Sequence, residues 1–311
     1  MSANGGNTPR TRRAPAKVNL SLEVCGLRGD GFHELRTVML ALDICDEVGV
    51  ALRDGGGGST LAVSGPAASA DIPLDDSNLA LAGARAAARA AAPDSGSSAF
   101  AVDLVKNLPS GAGLGGGSSD CAVAFLAALE LLGGEARSSA ARAALADCGS
   151  DCAFFAEARN SPVALCEGRG EVVTPWAVAP PPWHLVIVTP DVHLSTASVY
   201  RALSVPLSEV GGQHTFPLHG LGASVGEARA YLYNQLEEAA LVVSPRLGAW
   251  RRCLDELGLA HFCLAGSGAS FFGLYDTEAQ ARSDLAELLQ AAAARGLAVR
   301  FNAVTRPFAG S

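Results

Sequence analysis

Leu108-Pro109-Ser110-Gly111-Ala112-Gly113-Leu114-Gly115-Gly116-Gly117-Ser118-Ser119-Asp120 is the stretch that decides the fold. An alternating apolar segment, Ala99 to Val105, runs into it, and an Ala- and Leu-rich helical pattern, Cys121 to Leu132, follows. The order is strand, glycine loop, helix. Five glycines within 111–117 let the backbone take positive φ and come close to a ligand without a Cβ in the way. The helix start behind them aims free N–H groups and a partial positive charge at the same point. Such a device holds an anion, most often a phosphate.

Two common phosphate loops do not fit. A Walker A loop needs Gly-x-x-x-x-Gly-Lys-Ser/Thr, and in the nearest register Gly117 stands at the lysine. Gly111-x-Gly113-x-x-Gly116 matches the dinucleotide fingerprint letter by letter. That fingerprint expects an acidic residue at the end of a second strand about 20 residues on. Here Glu130 falls inside the helical pattern instead.

The 311 residues suit two domains of about 150 residues each. A net charge of −8 argues against a nucleic-acid partner, which would call for a basic face. No apolar run is long enough to span a membrane. The eight cysteines mostly sit in apolar stretches, as buried thiols do, and Cys148-x-x-x-Cys152 has no second Cys or His pair to complete a zinc site. With no signal peptide pattern, the expected compartment is a reducing cytoplasm.

Lys17 and Lys106 are the only lysines in a chain that otherwise uses arginine. A planar guanidinium fork does not replace a compact ammonium, so both places ask for a point charge. Lys17 opens Lys-Val-Asn-Leu-Ser-Leu-Glu-Val24, a strict alternation with Val18, Leu20, Leu22 and Val24 on one face. Lys17 and Asn19 share the other face. Met1 to Arg13 reads as a disordered tail, and Arg28-Gly-Asp-Gly31 as a turn delivering Phe32-His33-Glu34.

Further strands are expected at 46–52, 60–63, 184–189, 261–265, 270–274 and 297–303, with a turn at Gly55 to Gly58. Helices are expected at 77–92 (capped by Asp76 or Ser77), 139–147, 196–203, near 227–240, at 246–257 and at 276–294. Ser208 to Gly226 reads as a loose loop and the proline-rich Pro175 to Pro182 as a domain boundary. The order beyond it predicts an α+β domain with an antiparallel sheet.

Four separated pieces together resemble one family. Ala14-Pro-Ala-Lys-Val-Asn-Leu20 with Gly29-Asp-Gly-Phe-His-Glu-Leu35 resembles its first motif, and Leu108 to Asp120 its second. Gly149-Ser-Asp-Cys-Ala-Phe-Phe155 is similar to its catalytic-aspartate segment, and Leu264-Ala-Gly-Ser-Gly-Ala-Ser270 to its third glycine motif. The family is the GHMP kinases, and within it the likeness is to the kinases of 4-diphosphocytidyl-2-C-methyl-D-erythritol in non-mevalonate isoprenoid synthesis.

The resemblance implies a two-domain α+β architecture: an S5-like, ATP-binding N-terminal domain at 14–175 and a ferredoxin-like C-terminal domain at 176–311. It also implies ATP and Mg²⁺ as cofactors, phosphorylation of a substrate 2-hydroxyl, and a monomer or homodimer with no nucleic-acid or membrane partner. Asp151 takes the place of the catalytic base and Lys17 that of its partner. Pro109, Ser110, Gly111, Ala112, Gly113, Leu114, Gly115, Gly116, Gly117, Ser118 and Ser119 match the ATP phosphate loop. Asn19, Phe32, His33, Thr196 and Tyr200 match substrate-binding positions, and metal ligands stay unassigned. Phe32 stands where tyrosine is usual. Gln235, in Asn234-Gln-Leu-Glu237, departs from the usual Asn-Asp-Leu-Glu, and Ser150 and Cys152 depart from Ala-Asp-Val-Pro. A sister kinase of mevalonate, homoserine or a sugar would share the loop and the third motif but not Asp30-Gly-Phe-His-Glu-Leu35.

Overall fold

A computed structural model describes residues 9–53, 58–91, 98–177, 181–203, 214–222 and 224–310. The chain forms two compact units. The first takes the segment ending at Ala16, Ile44–Ser110 and Gly115–Arg159; the second takes Lys17–Asp43, Gly111–Leu114 and Asn160–Ser311. This division differs from the expected 14–175 and 176–311. Two long strands, β1 (Arg10–Leu27) and β2 (His33–Leu52), lie side by side and each runs through both units, so no single point in the chain separates them. Pro175, expected at a boundary, ends a strand, and residues 178–180 lie outside the described residues.

In the first unit β3 (Thr60–Ser64), α1 (Leu79–Ala91) and β4 (Phe100–Val105) follow, then α2 (Gly116–Leu131), α3 (Ser139–Cys148) and α4 (Cys152–Glu157). The strand order is β3-β4-β2-β1, with β4 antiparallel to β2 and parallel to β3. Most of the expected turn at Gly55 to Gly58 lies outside the described residues, as do Met1 to Thr8 of the expected tail. The rest of that tail is corrected: from Arg10 it is strand. Its charges pair with α2, since Arg10 and Arg12 both reach Glu130, a partner that the sequence places far away. The α1 cap is also one residue later than expected. Asn78 Oδ1 accepts the Ala80 N–H at 3.0 Å, while Asp75 takes the N–H of Ser77 and Asp76 pairs with Arg85. Helix α2 is buried on nearly every side from Ser119 to Leu129 and packs on α1 and α4, which its all-round Ala and Leu content allows.

The second unit continues with β5 (Val163–Gly168), β6 (Val172–Pro175), β7 (His184–Pro190), α5 (Thr196–Arg201), a 3₁₀ turn at Leu218–Gly222, α6 (Val225–Arg229) and β8 (Tyr233–Asn234). It ends with α7 (Glu237–Val243), α8 (Pro245–Glu256), β9 (Cys263–Leu264), β10 (Phe271–Tyr275), α9 (Glu278–Ala294) and β11 (Val299–Thr305). One strand set runs β6-β5-β2-β1-β8. The other, β11-β7-β10-β9, is antiparallel throughout, and α8 and α9 bury Leu247, Trp250, Leu254, Leu285 and Leu288 in the same core as Val186, Val188 and Phe271. The mixed α+β class with an antiparallel second sheet is as expected.

Three differences are informative. The β5–β6 hairpin and the first half of β2 carry no clean alternation and form because they pair with each other, Leu35–Leu40 against Val163–Gly168. Within the loose loop expected at 208–226, the described part holds the 3₁₀ turn and the start of α6, where Ser224 and Glu227 close a capping box. The helix expected near 227–240 is interrupted. Tyr233 and Asn234 pair in parallel with Ser21 and Leu22 of β1, and strand pairing overrides the local helical pattern.

Candidate active site

The glycine loop joins β4 to α2 as anticipated, and glycine is required at particular places. Gly115 caps α2 at φ 71°, ψ 13°, a left-handed conformation that turns the chain into the helix with no side-chain cap. Gly113, at φ 79°, lies directly on the third glycine motif: a Cβ there would collide with the Ala265 carbonyl oxygen and sit 2.9 Å from that of Gly268. The same stretch is bonded on both sides. Lys17 N–H donates to Leu114 O at 2.9 Å, and Ser270 N–H to Ala112 O at 3.1 Å.

Within the second unit the structure brings together pieces of the first, second and third motifs. A Cβ built on Gly266 would be 3.3 Å from Lys17 Nζ, 3.5 Å from Asn19 Oδ1 and 3.5 Å from Gly113 O, so these groups converge on the bare α-carbon of Gly266. Lys17 Nζ donates to Asn19 Oδ1 at 2.8 Å, Asn19 Nδ2 to Thr37 Oγ1 at 2.8 Å, and Thr37 Oγ1 to Ser21 O at 2.6 Å. The polar face of β1 is thus buried and wired. Further along it, Ser21 Oγ accepts from Phe216 N, and Glu23 accepts from His214 N and Thr215 Oγ1.

The turn carrying the third motif is held from β8 and α7. Asn234 Nδ2 donates to both Leu264 O (2.8 Å) and Gly266 O (2.7 Å), and Glu237 Oε2 accepts the Leu264 N–H at 2.9 Å. Gln235 Oε1 accepts the N–H of Val24 at 2.8 Å, so the departure from aspartate fills a defined structural position. Burial raises the Glu237 carboxyl above its ordinary value against the opposing pull of the Leu264 N–H and Arg251.

Asp151 lies in the first unit, as residue zero of the short helix α4. Its φ of −82° and ψ of −8° fit a turn into the helix, and its carboxylate does not cap α4. The substrate-binding candidates lie in the second unit. The His33 and Tyr200 rings stack at 4.8 Å and 27°, and Thr196 Oγ1 bonds to Ser267 Oγ of the third motif at 2.9 Å. Phe32 is 52% exposed and sits beneath the Arg169 guanidinium, 4.9 Å from its ring centre.

Sequence reasoning singled out Lys106 but missed its partners. Lys106 Nζ lies between the carboxylates of Asp46 and Asp120, all three buried. Burial opposes the lysine charge, but Asp120 and Asp46 outweigh it and hold its pKa above the ordinary value. Burial pushes Asp120 up to about 7, with Lys106 pulling it down and Asp46 adding to the rise. The one available signal was the pair Asp43 and Asp46 interrupting the apolar run of β2. Among the described residues there is no group of three or more His, Cys, Asp or Glu placed to hold a metal ion, and no helix long and apolar enough to cross a membrane.

Two family models match the chain: GHMP kinases N terminal domain over residues 78–158 and GHMP kinases C terminal over 218–294. A 4-diphosphocytidyl-2-C-methyl-D-erythritol kinase from Geobacter metallireducens is 36% identical over 272 residues, 88% of this chain and 91% of that one. One from Salinispora arenicola is 38% identical over 295 residues, 91% and 89% of the two chains. A crystal structure of a 4-(cytidine 5'-diphospho)-2C-methyl-D-erythritol kinase superposes with TM-score 0.69 at 31% identity, covering 96% of this chain and all of that one. A homoserine kinase from Cytophaga hutchinsonii superposes with TM-score 0.71 at 18% identity, covering 100% of this chain and 98% of that one, which shows the shared fold alone.

Proposed function

The chain belongs to the 4-diphosphocytidyl-2-C-methyl-D-erythritol kinase family of the GHMP kinases, and from that premise we propose that it transfers the γ-phosphoryl group of ATP to the 2-hydroxyl of 4-diphosphocytidyl-2-C-methyl-D-erythritol. The observation that supports this best is the convergence of Lys17, Asn19 and Gly113 on Gly266, which joins residues of three motifs at one point. Phosphoryl transfer needs positioning, charge neutralisation and a group that takes the hydroxyl proton. In this reading Pro109 to Ser119 cradle the phosphates with backbone N–H groups and the start of α2.

Asp151, at the start of α4, accepts the proton of the attacking hydroxyl. Lys17, fixed by Asn19, supplies positive charge where the negative charge of the transition state grows. Mg²⁺ is a proposal resting on the donor set. Such ions keep water and phosphate oxygens and take few protein ligands, and the buried Ser119 hydroxyl, which has no hydrogen-bond partner among the described residues, is an oxygen beside the loop suited to it, as is Asp120 Oδ1 next to it. When bound it would neutralise phosphate charge.

For the acceptor, Phe32, His33 and Tyr200 supply rings and a hydrogen-bonding edge for a cytosine, with Thr196 beside the third motif. The stacked His33–Tyr200 pair is a preformed flat wall, and Arg169 covers Phe32 as a cation covers an aromatic face. ADP release coupled to NADH oxidation tests the reading with three acceptors: the cytidyl diphosphate, mevalonate and homoserine. Turnover is expected with the first alone. ADP release with mevalonate or homoserine and none with the cytidyl compound overturns it.

A further inference from the structure

The second retained lysine explains a feature that phosphate binding alone does not. Lys106 directly follows β4 and is 3% exposed. Its ammonium donates to Asp120 Oδ2 of α2 at 2.6 Å and to Asp46 Oδ2 of β2 at shorter range. The other Asp46 oxygen accepts the backbone N–H groups of Asn107 (2.6 Å) and Leu108 (2.8 Å), the two residues that lead into the loop. Asn107 Nδ2 in turn donates to Cys45 O at 2.8 Å. The cluster lies under the first turn of α2: a Cβ built on Gly116 would be 3.5 Å from Lys106 Nζ, Asp46 Oδ2 and Leu108 Cβ alike.

A buried ion cluster is a poor device for stability alone, because well-packed apolar residues of similar volume serve as well or better. What it does provide is a fixed geometry, since an ammonium between two carboxylates is satisfied in few arrangements. Here one carboxylate, Asp46 of β2, holds the backbone that leads into the glycine loop, and the other, Asp120, lies on the helix that leaves it. We propose that Lys106 is a positioning residue for the nucleotide: through Asp46 it anchors the strand end of the loop, through Asp120 the helix end, and so it sets the span across which Pro109 to Ser119 are held. The proposal rests on the reading of that loop as the phosphate cradle.

The test is direct calorimetric titration with ATP, alongside steady-state kinetics and thermal melting. Lys106→Met alone leaves two buried carboxylates facing each other and can unfold the chain. A triple variant, Lys106→Met with Asp46→Asn and Asp120→Asn, removes the whole charge set, while the amide oxygen introduced at position 46 still accepts from the loop backbone. In the folded triple variant the ATP dissociation constant is expected to rise tenfold or more while the KM for the acceptor stays within about threefold. A cluster with a structural role only would lower the melting temperature and leave ATP affinity unchanged in the folded protein, which overturns the proposal. Failure of the parent protein to bind ATP would instead remove the phosphate-loop reading and the proposal with it.

Discussion

Gly113→Ala is the sharpest perturbation of the loop, because its cost can be worked out from three separate features. Gly113 has φ 79°, and an L-residue held in the left-handed region costs roughly 1–2 kcal/mol. The new methyl would strike the Ala265 carbonyl oxygen and lie 2.9 Å from Gly268 O, both backbone atoms that no side-chain rotation can clear. The loop must therefore withdraw from the third motif. Withdrawal breaks Lys17 N–H to Leu114 O and Ser270 N–H to Ala112 O, each worth about 1 kcal/mol net. The sum is about 3–4 kcal/mol against the native loop arrangement, so the competent conformation becomes the minor one and ATP affinity falls by about 10²–10³. Gly117→Ala is the control. Its backbone is already helical and its Cβ would meet only the Leu79 Cδ1 methyl at 3.1 Å, so a small shift of a flexible side chain suffices. ATP titration should show a loss of at least tenfold in Gly113→Ala and less than about threefold in Gly117→Ala, with both proteins folded by circular dichroism. An ATP affinity in Gly113→Ala within threefold of the parent would refute the argument that this contact shapes the loop.

Other expectations follow from the same geometry. Asp151→Asn keeps the shape and removes the proton acceptor, so kcat should drop by about 10² or more; near-normal turnover would mean that another group takes the proton. Lys17→Met should cut kcat similarly and free Asn19 from its bond, and a variant as fast as the parent would remove Lys17 from the chemistry. Tyr200→Ala strips the ring from His33, and with stacking worth about 1–3 kcal/mol the acceptor KM should rise about tenfold with ATP affinity unaltered. A lower melting temperature with unchanged KM would make Tyr200 a packing residue. Burial, reinforced by Arg229 and Arg251, pushes His261 down to about 4, so between that value and the ordinary 6.5 the unfolded chain binds the proton that the folded one refuses. Stability present above about pH 6.5 should therefore drain away as pH falls toward 4, and His261→Gln should flatten that part of a urea-midpoint profile; an unaltered slope would count against it.

The parts of the fold legible in advance were those governed by local rules. The strand–glycine–helix order around Gly113 was readable because glycine density and flanking periodicity are properties of adjacent residues. The four motifs were readable because they are short and contiguous. What escaped was set by distant partners. Arg10 and Arg12 read as tail because Glu130 is more than a hundred residues on, and the segment from Glu227 to Ala240 reads as one helix until Tyr233 and Asn234 find β1. The β5–β6 hairpin has no pattern of its own, only a partner in Leu35–Leu40.

The polar face of β1 marks the boundary between pattern and environment most clearly. Alternation separated Lys17, Asn19, Ser21 and Glu23 from the apolar face, and that separation is real. Alternation also suggests that a polar face meets water, yet Ser21 and Glu23 are fully buried and Lys17 and Asn19 nearly so. Burying four polar side chains in a row is tolerable only if each finds a partner. The partners come from Thr37, from residues 214–216 and from the Lys17–Asn19 pair itself, none of which the local pattern can supply. Lys106 follows the same logic in the other unit, satisfied by Asp46 from one element and Asp120 from another. The two positions where this arginine-rich chain keeps lysine are thus both nearly closed to solvent. A compact ammonium fits there against the Asn19 amide oxygen at one position and between two carboxylates at the other, and the wider planar fork of arginine would have to displace backbone to fit. Lys106→Arg should accordingly unsettle the loop although it preserves the charge, and a fully active, equally stable Lys106→Arg protein would show that charge alone, not its size, is what the site requires.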